Sequence, residues 1–299
     1  MKYSDLIFDY LNYPLTEAGE ELTCEDKDSN GFKKDYYEIK TEEESKIYNK
    51  PKGKYMLLST PNMLEVDKSD IDRCVNIFSD MLKGMFGEIK NEDRVLVVGL
   101  GNRHISSDSL GAKVIGKINI TINNKHLPKV MAIAPSVMGL TGIETFDIVE
   151  GVISRVKPNR LILIDSLCAS AVERLGRSIQ VTNTGICPGG GVGNKRKCID
   201  SKQVENINSI GVPLLIFSST FVGAAFDKFG IGYDKILSIM QSTRKSSESS
   251  DYFQFLKTIK KVLEDDDNEM IVSIKDIEEC VDILSDIIAK SINIALGVC

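Results

Sequence analysis

RVLVVG (Arg94–Gly99) and RLILID (Arg160–Asp165) are short, continuously apolar runs, each stopped by a glycine or an acid. Runs of this kind are typical of strands that are buried on both faces of a sheet. Helical patterns lie between such runs, for example Glu144–Val156. The further predicted strands are Val130–Ala134, Ser178–Thr182 and Pro213–Phe217. This alternation predicts an α/β fold, a three-layer and mostly parallel sheet with helices on both faces.

Weaker patterns surround this centre. Asp67–Gly87 carries apolar residues on one helical face, and Ser273–Leu296 is predicted to be a long amphipathic helix. Residues 1–66 are polar, with strand-like character at Tyr36–Lys40 and Tyr55–Ser59. No linker divides the chain. We therefore predict a single α/β domain over residues 21–299, with a C-terminal helical part and an N-terminal extension of residues 1–20.

Composition narrows the class of protein. The 299 residues include 37 Lys and Arg against 43 Asp and Glu, a formal net charge of −6 that argues against direct binding of nucleic acid or an anionic membrane. No apolar run reaches the roughly 18 residues of a membrane span, and the first ten residues do not resemble a secretory signal. The seven cysteines show no C-x-x-C spacing, so neither a zinc site nor a redox dithiol is predicted, and a reducing cytoplasm fits best.

Ligands of open parallel sheets bind beyond the carboxyl ends of the strands. The first apolar strand is followed by Gly99-Leu100-Gly101-Asn102 and then by Asp108. His104 stands where a dinucleotide fingerprint needs its third glycine, so a tight turn is favoured over a phosphate cradle. Asp108 is expected either to cap the next helix or to act as a functional carboxylate.

Asp165 directly follows Ile164 and is expected at the rim of the sheet, where burial would raise its pKa unless a partner offset it. It could cap a following helix, Ser166–Leu175, but a functional role is favoured. Two carboxylates on neighbouring strands could share a proton and activate water, hold a metal with further ligands, or position a substrate amine.

Two further segments could line a cleft. Thr184–Lys197 has four glycines in five positions, whose N–H groups could bind a carbonyl oxygen or an oxyanion, although a flexible surface loop would look the same. Pro135–Thr145 could form an apolar substrate wall or simply pack. Cys187 and Cys168 are weak nucleophile candidates, because the bases available in the sequence are His104 and His126.

Five ordered motifs between about Tyr36 and Asn194 resemble the germination protease family of spore-forming bacteria. They are VLVVGLGN (Val95–Asn102), SDSLG (Ser107–Gly111), AIAPSVMGLTGIET (Ala132–Thr145), KP-x-x-LILIDSL (Lys157–Leu167) and TGICPGGGVGNKRK (Thr184–Lys197). The resemblance implies a fold like that of hydrogenase-maturation endopeptidases. It also implies an endopeptidase of the spore-core cytoplasm that degrades small acid-soluble spore proteins during germination.

The resemblance further implies a zymogen with an N-terminal propeptide, a homotetramer, and catalysis by two aspartates without a metal or other cofactor. Those aspartates correspond to Asp108 and Asp165. The cleft residues that correspond to the family pattern are Asn102, Cys187, Gly189, Gly190, Gly191, Gly193 and Asn194.

The chain departs from the family pattern at the glycine-rich segment. Cys187 stands where the family usually has a histidine, and Gly190 replaces a serine. The first alternative is therefore an inactive or regulatory relative that binds substrate without cutting it. The second is a metal-dependent maturation peptidase with Asp108, Asp165 and Cys187 as ligands.

Overall fold

The computed structural model of the protein describes residues 5–7, 9, 23–24, 28, 30–122, 124–187, 197–218, 220–221 and 271–299. The strands are β1 (Thr23–Cys24), β2 (Lys33–Ile39), β3 (Gly53–Ser59), β4 (Arg94–Gly99), β5 (Lys129–Ile133), β6 (Arg160–Cys168), β7 (Ser178–Thr182), β8 (Asn206–Phe217) and β9 (Ile271–Val272). The helices are α1 (Glu42–Tyr48), α2 (Lys68–Phe86), α3 (Leu110–Ile115), α4 (Met138–Thr141), α5 (Thr145–Val156) and α6 (Ile277–Leu296). Short 3₁₀ turns lie at Ser106–Asp108 and Val172–Arg174.

The strands of the described residues form one sheet in the order β1-β2-β3-β7-β8-β6-β4-β5, and β9 pairs with the end of β8. Strands β5, β4, β6 and β8 run parallel. Strands β7, β3, β2 and β1 extend the sheet in antiparallel fashion. The predicted α/β class is confirmed, and its parallel part consists of the four strands with the most continuous apolar sequence.

One face of the sheet is covered by α2, α3 and α6, which share a single hydrophobic core with alternate residues of the strands. Phe78 of α2, Leu110 of α3 and Ile288 of α6 are fully buried in this core. The Asp67 side chain caps α2 by accepting the Asp70 N–H at 3.0 Å, as the acids of this predicted first turn suggested. Within the described residues, no helix combines the length and the apolar character that a bilayer crossing requires.

The opposite face carries two separate hydrophobic clusters. Helix α5 covers the first, which contains Leu161 and Leu163 of β6. The second lies beneath α1 and the N-terminal segment and contains Leu167 of the same strand. Because side chains along a strand alternate between faces, Asp165 lies on this face between Leu163 and Leu167. The carboxyl group of Asp165 therefore lies between the two clusters.

Candidate active site

Asp108 is held by the turn that follows β4. The Asn102 backbone N–H donates to Asp108 Oδ2 at 2.7 Å. The Asn102 side chain accepts the His104 N–H at 2.9 Å, and the Asp108 N–H donates to the Ile105 carbonyl oxygen at 2.8 Å. These bonds close a loop that fixes one oxygen of the Asp108 carboxylate against the main chain.

The glycines of this turn are explained by close packing rather than by a ligand. Gly101 has a φ of +96°, and a Cβ on it would fall within 3.0 Å of both the carbonyl and the carboxylate of Asp108. A Cβ on Gly99 would collide with the backbone of Gly111 at the start of α3. The predicted tight turn is thus the structure that brings Asp108 back toward the sheet.

Asp165 does not end its strand, so the prediction of a helix over Ser166–Leu175 was wrong. Strand β6 continues to Cys168 because its last residues still pair with the long strand β8, where Gly211 lies opposite Asp165. A Cβ on Gly211 would overlap the Leu167 side chain, which fills this space within the second cluster. Asp165 is therefore held within β6 by pairing with β8, one residue beyond the end of the β4 pairing at Ile164, rather than by a helix cap.

The two predicted carboxyl groups are brought together. Burial within the protein raises the pKa of Asp165 well above its usual value, and the negative charge of Asp108 raises it further. The pKa of Asp108 is also raised by burial, although the hydrogen bond from Asn102 opposes that shift. Both side chains keep part of their accessible surface, so water can reach groups that are otherwise surrounded by protein.

The N-terminal segment lies against the end of β6, next to this pair. The Asp5 N–H donates to the Cys168 carbonyl oxygen at 2.8 Å, and the Asp5 carboxylate accepts the Cys168 N–H at 2.9 Å. Leu6 and Ile7 are fully buried in the second cluster, and the Ile7 N–H donates to Gln180 Oε1 at 3.2 Å. The segment is therefore tied to the end of β6 by one main-chain and one side-chain hydrogen bond at Asp5, and by the burial of Leu6 and Ile7.

Charges anchor the same segment. The Asp9 carboxylate accepts the Ser170 N–H at 2.7 Å and forms a 2.6 Å ion pair with Arg174, with the Asp9 side chain only 1% exposed. The Asp5 carboxylate contributes to the raised pKa of Asp165. Burial lowers the pKa of Lys50, while the charges of Asp5 and Asp9 oppose that shift. These contacts were not predicted from the sequence. What pointed toward them was that Asp5 and Asp9 lie in the N-terminal extension, where the family resemblance implies a propeptide.

The start of the glycine-rich segment leaves the sheet on the face that carries Asp165. Cys187 and Cys198 are joined by a disulfide, which was not predicted from the sequence, and Cys187 is therefore not a free nucleophile in this state. The two cysteines are 11 residues apart in the sequence, so C-x-x-C spacing does not reveal this bond. The predicted cleft residues Gly189, Gly190, Gly191, Gly193 and Asn194 lie outside the described residues.

The other predicted candidates are placed as follows. Met138, Leu140 and Ile143 are 49%, 53% and 53% exposed, so they do not pack in the core and remain candidates for a substrate wall. Cys168 is buried within β6. Across the part of the chain that the structure describes, no three His, Cys, Asp or Glu side chains are grouped as metal ligands.

An α/β sheet with two neighbouring aspartates whose pKa values are raised is the kind of site expected of an acid–base enzyme such as a hydrolase. The family model described as "Germination protease" matches residues 14–246. The chain is 35% identical to the germination protease of Clostridium acetobutylicum over 268 residues, covering 83% of this chain and 79% of that protein. It is 32% identical to that of Caldanaerobacter subterraneus subsp. tengcongensis over 301 residues, covering 94% and 87%.

The chain therefore belongs to the germination protease family and is a peptidase. Among solved structures, the [NiFe] hydrogenase maturation protease HycI from Thermococcus kodakarensis matches with a TM-score of 0.37 and 13% identity, covering 71% of this chain and 99% of that chain.

Proposed function

We propose that this chain is an endopeptidase of the spore core that cleaves small acid-soluble spore proteins during germination, with water activated by Asp108 and Asp165. The observation that carries the proposal is that two half-buried aspartates lie close enough for the charge of Asp108 to raise the pKa of Asp165. The family membership supports the peptidase activity and its link to germination. The proposed substrates are the DNA-coating proteins that the family resemblance implies.

The surroundings of the two aspartates assign their roles. Burial and the charge of Asp108 both raise the pKa of Asp165, so of the two aspartates it is the one we propose to carry the proton. Asp108 accepts a main-chain hydrogen bond that favours its ionised form, so it is the base. Asp108 takes a proton from water as the oxygen attacks the scissile carbonyl carbon. Asp165 gives its proton to the leaving nitrogen, and the protonation states are restored by the release of one proton from Asp108 and the uptake of one by Asp165.

The N-terminal extension is proposed to keep the enzyme inactive before germination. Asp5 is hydrogen-bonded to Cys168 at the end of β6, and its charge adds to that of Asp108 in raising the pKa of Asp165. We propose that an extended substrate would bind along this part of β6. Loss of the extension would free the cleft and lower the pKa of Asp165 toward the range in which it can exchange its proton. The proposed zymogen thus blocks both substrate access and proton transfer.

The test uses the full chain and a chain that begins at residue 21, each incubated with a purified small acid-soluble spore protein and followed by mass spectrometry. We expect cuts from the shortened chain and few from the full chain. Asp108→Asn and Asp165→Asn should each abolish the cuts, whereas Asp80→Asn, on the exposed surface of α2, should keep the wild-type rate. Wild-type cleavage by either site variant would refute the two-aspartate mechanism.

A second candidate, a relative that binds without cutting, is favoured by the disulfide at the position of the usual histidine. Substrate binding by the shortened chain with no cleavage under either reducing or oxidising conditions would support it. The metal-dependent alternative predicts that exhaustive chelation stops cleavage. Light scattering of the purified protein tests the homotetramer that we propose from the family resemblance, and a monomeric mass would refute it.

A further inference from the structure

The Cys187–Cys198 disulfide joins two chain segments that the backbone already holds together. The Cα atoms of the two cysteines are 4.0 Å apart. Beside them, Ile186 and Ile199 form an antiparallel bridge with N–H to carbonyl distances of 3.0 and 2.9 Å. A Cβ on Gly185 would collide with the Ile199 carbonyl group, so the segments approach as closely as a glycine allows. The two thiols would therefore remain close together after reduction.

Contacts to the rest of the domain hold these segments next to the candidate active site. The Ser209 hydroxyl of β8 donates to the Thr184 carbonyl oxygen at 2.6 Å. Ser209 lies opposite Leu163 of β6, which is two residues or about 7 Å before Asp165. On the other side, Lys197 forms a 3.1 Å ion pair with Asp147 of α5. The disulfide thus lies on a fixed support beside the cleft.

The solvent exposure of this pair distinguishes it from the buried cysteines. Cys187 is exposed and Cys198 is half-buried, so a dissolved thiol can reach the bond. By contrast, burial raises the pKa of Cys74 to about 12 and that of Cys280 to about 11, which leaves both as unreactive thiols. Cys299 is exposed but has no described cysteine beside it.

We propose that Cys187 and Cys198 form a reversible disulfide through which the thiol–disulfide balance of the surroundings regulates the peptidase. In reduction, two molecules of a low-molecular-weight thiol each give up a proton and an electron, the Cys187–Cys198 bond breaks, and two protein thiols and one small disulfide form. Oxidation by a low-molecular-weight disulfide reverses each of these steps. This inference rests on the proposed function, because the site that it regulates is the Asp108–Asp165 cleft.

The direction of the effect follows from the connectivity. The disulfide reinforces the Ile186–Ile199 bridge between these two segments, and without it the segments have more conformational freedom to lose when a substrate binds beside them. The reduced enzyme should therefore bind its substrate more weakly, with KM raised by about three- to tenfold. The carboxyl groups are fixed by other strands and turns, so kcat should change less than KM.

The experiment uses the chain that begins at residue 21, held in defined mixtures of reduced and oxidised glutathione. Thiols are alkylated in the folded protein and located by mass spectrometry, and the cleavage of a purified small acid-soluble spore protein is measured in parallel. We expect Cys187 and Cys198 to convert together between disulfide and alkylated thiols, while Cys74 and Cys280 stay unlabelled. KM should rise on reduction.

The double variant Cys187→Ser, Cys198→Ser should show the KM of the reduced enzyme in every mixture, and Cys299→Ser should respond to glutathione like the wild type. Free thiols at Cys187 and Cys198 in the most oxidising mixture would overturn the proposal, as would an unchanged KM. If neither redox form cleaves the substrate, the proposed function fails, while the alkylation pattern still shows whether the disulfide forms and opens in the folded chain.

Discussion

Replacing Gly101 by alanine tests whether the turn after β4 sets the position of Asp108. The added Cβ would lie 2.7 Å from Asp108 Oδ1 and also inside 3.0 Å of the Asp108 carbonyl oxygen. To reach ordinary contact at 3.4 Å, the carboxylate atom must retreat by about 0.7 Å, and the carbonyl by more. Displacements of this size in a catalytic group reduce rates by about a hundredfold.

The same substitution also costs stability. Alanine at a φ of +96° carries about 1–2 kcal/mol of backbone strain, and forcing the turn apart adds about 1–3 kcal/mol. We therefore expect a loss of about 2–5 kcal/mol in the free energy of unfolding, measured with urea. We expect kcat to fall about a hundredfold in the fraction of protein that stays folded.

Gly297 provides the matched control. It also has a positive φ, of +68°, but a Cβ on it would meet nothing within 4 Å, at the end of α6. Gly297→Ala should therefore cost about 1–2 kcal/mol of stability and leave kcat unchanged. Near-normal kcat in Gly101→Ala would show that the Asp108 position does not depend on this turn. An equal loss of kcat in both variants would show that strain alone, rather than contact with Asp108, explains the effect.

Three further outcomes are expected. Asp165→Asn should stabilise the fold at neutral pH. The pKa of this carboxyl is raised in the folded state, so the wild type loses stability as pH rises above about 4, where the carboxyl of the unfolded chain ionises. Urea unfolding at several pH values should show that the stability gained by the substitution grows with pH. A gain that shrinks with pH would contradict this sign. Arg174→Gln removes the ion pair of the buried Asp9 carboxylate at a cost of about 3 kcal/mol, so hydrogen exchange at Leu6 and Ile7 should rise more than in β4. Equal changes in both would show that Arg174 does not hold the N-terminal segment. Phe78→Ala should reduce the free energy of unfolding by about 3–5 kcal/mol, and a loss below about 1 kcal/mol would mean that α2 does not close this core.

Much of the parallel half of the sheet was predictable because a strand that is buried on both faces needs an unbroken apolar sequence. Val95–Val98 and Leu161–Ile164 show that pattern, and both lie in strands. The helix predicted over Asp67–Gly87 is observed as α2, Lys68–Phe86, because its apolar face and its acidic first turn agree. In these elements, local sequence and tertiary packing favour the same structure.

The remaining errors have physical causes. An acid directly after the apolar run that ends at Ile164 is typical of the end of a strand. The sequence alone does not show that Gly211 and its neighbours on β8 continue the pairing. The docking of Leu6 and Ile7 depends on a pocket built by distant strands, and a two-residue apolar pattern carries no periodicity. That Asp108 and Asp165 lie near each other could be predicted, since the apolar runs before them form neighbouring parallel strands, but the third carboxylate from Asp5 could not.

Strand β6 runs beneath both hydrophobic clusters of one face, whereas the clusters themselves are built from different parts of the chain. Asp165 thus lies on one strand between two clusters that are built independently. Under the proposed function, exchanging residues in one cluster would alter the peptide side chains accepted on that side without displacing Asp165. Peptide preference and the position of this carboxyl group would then vary independently.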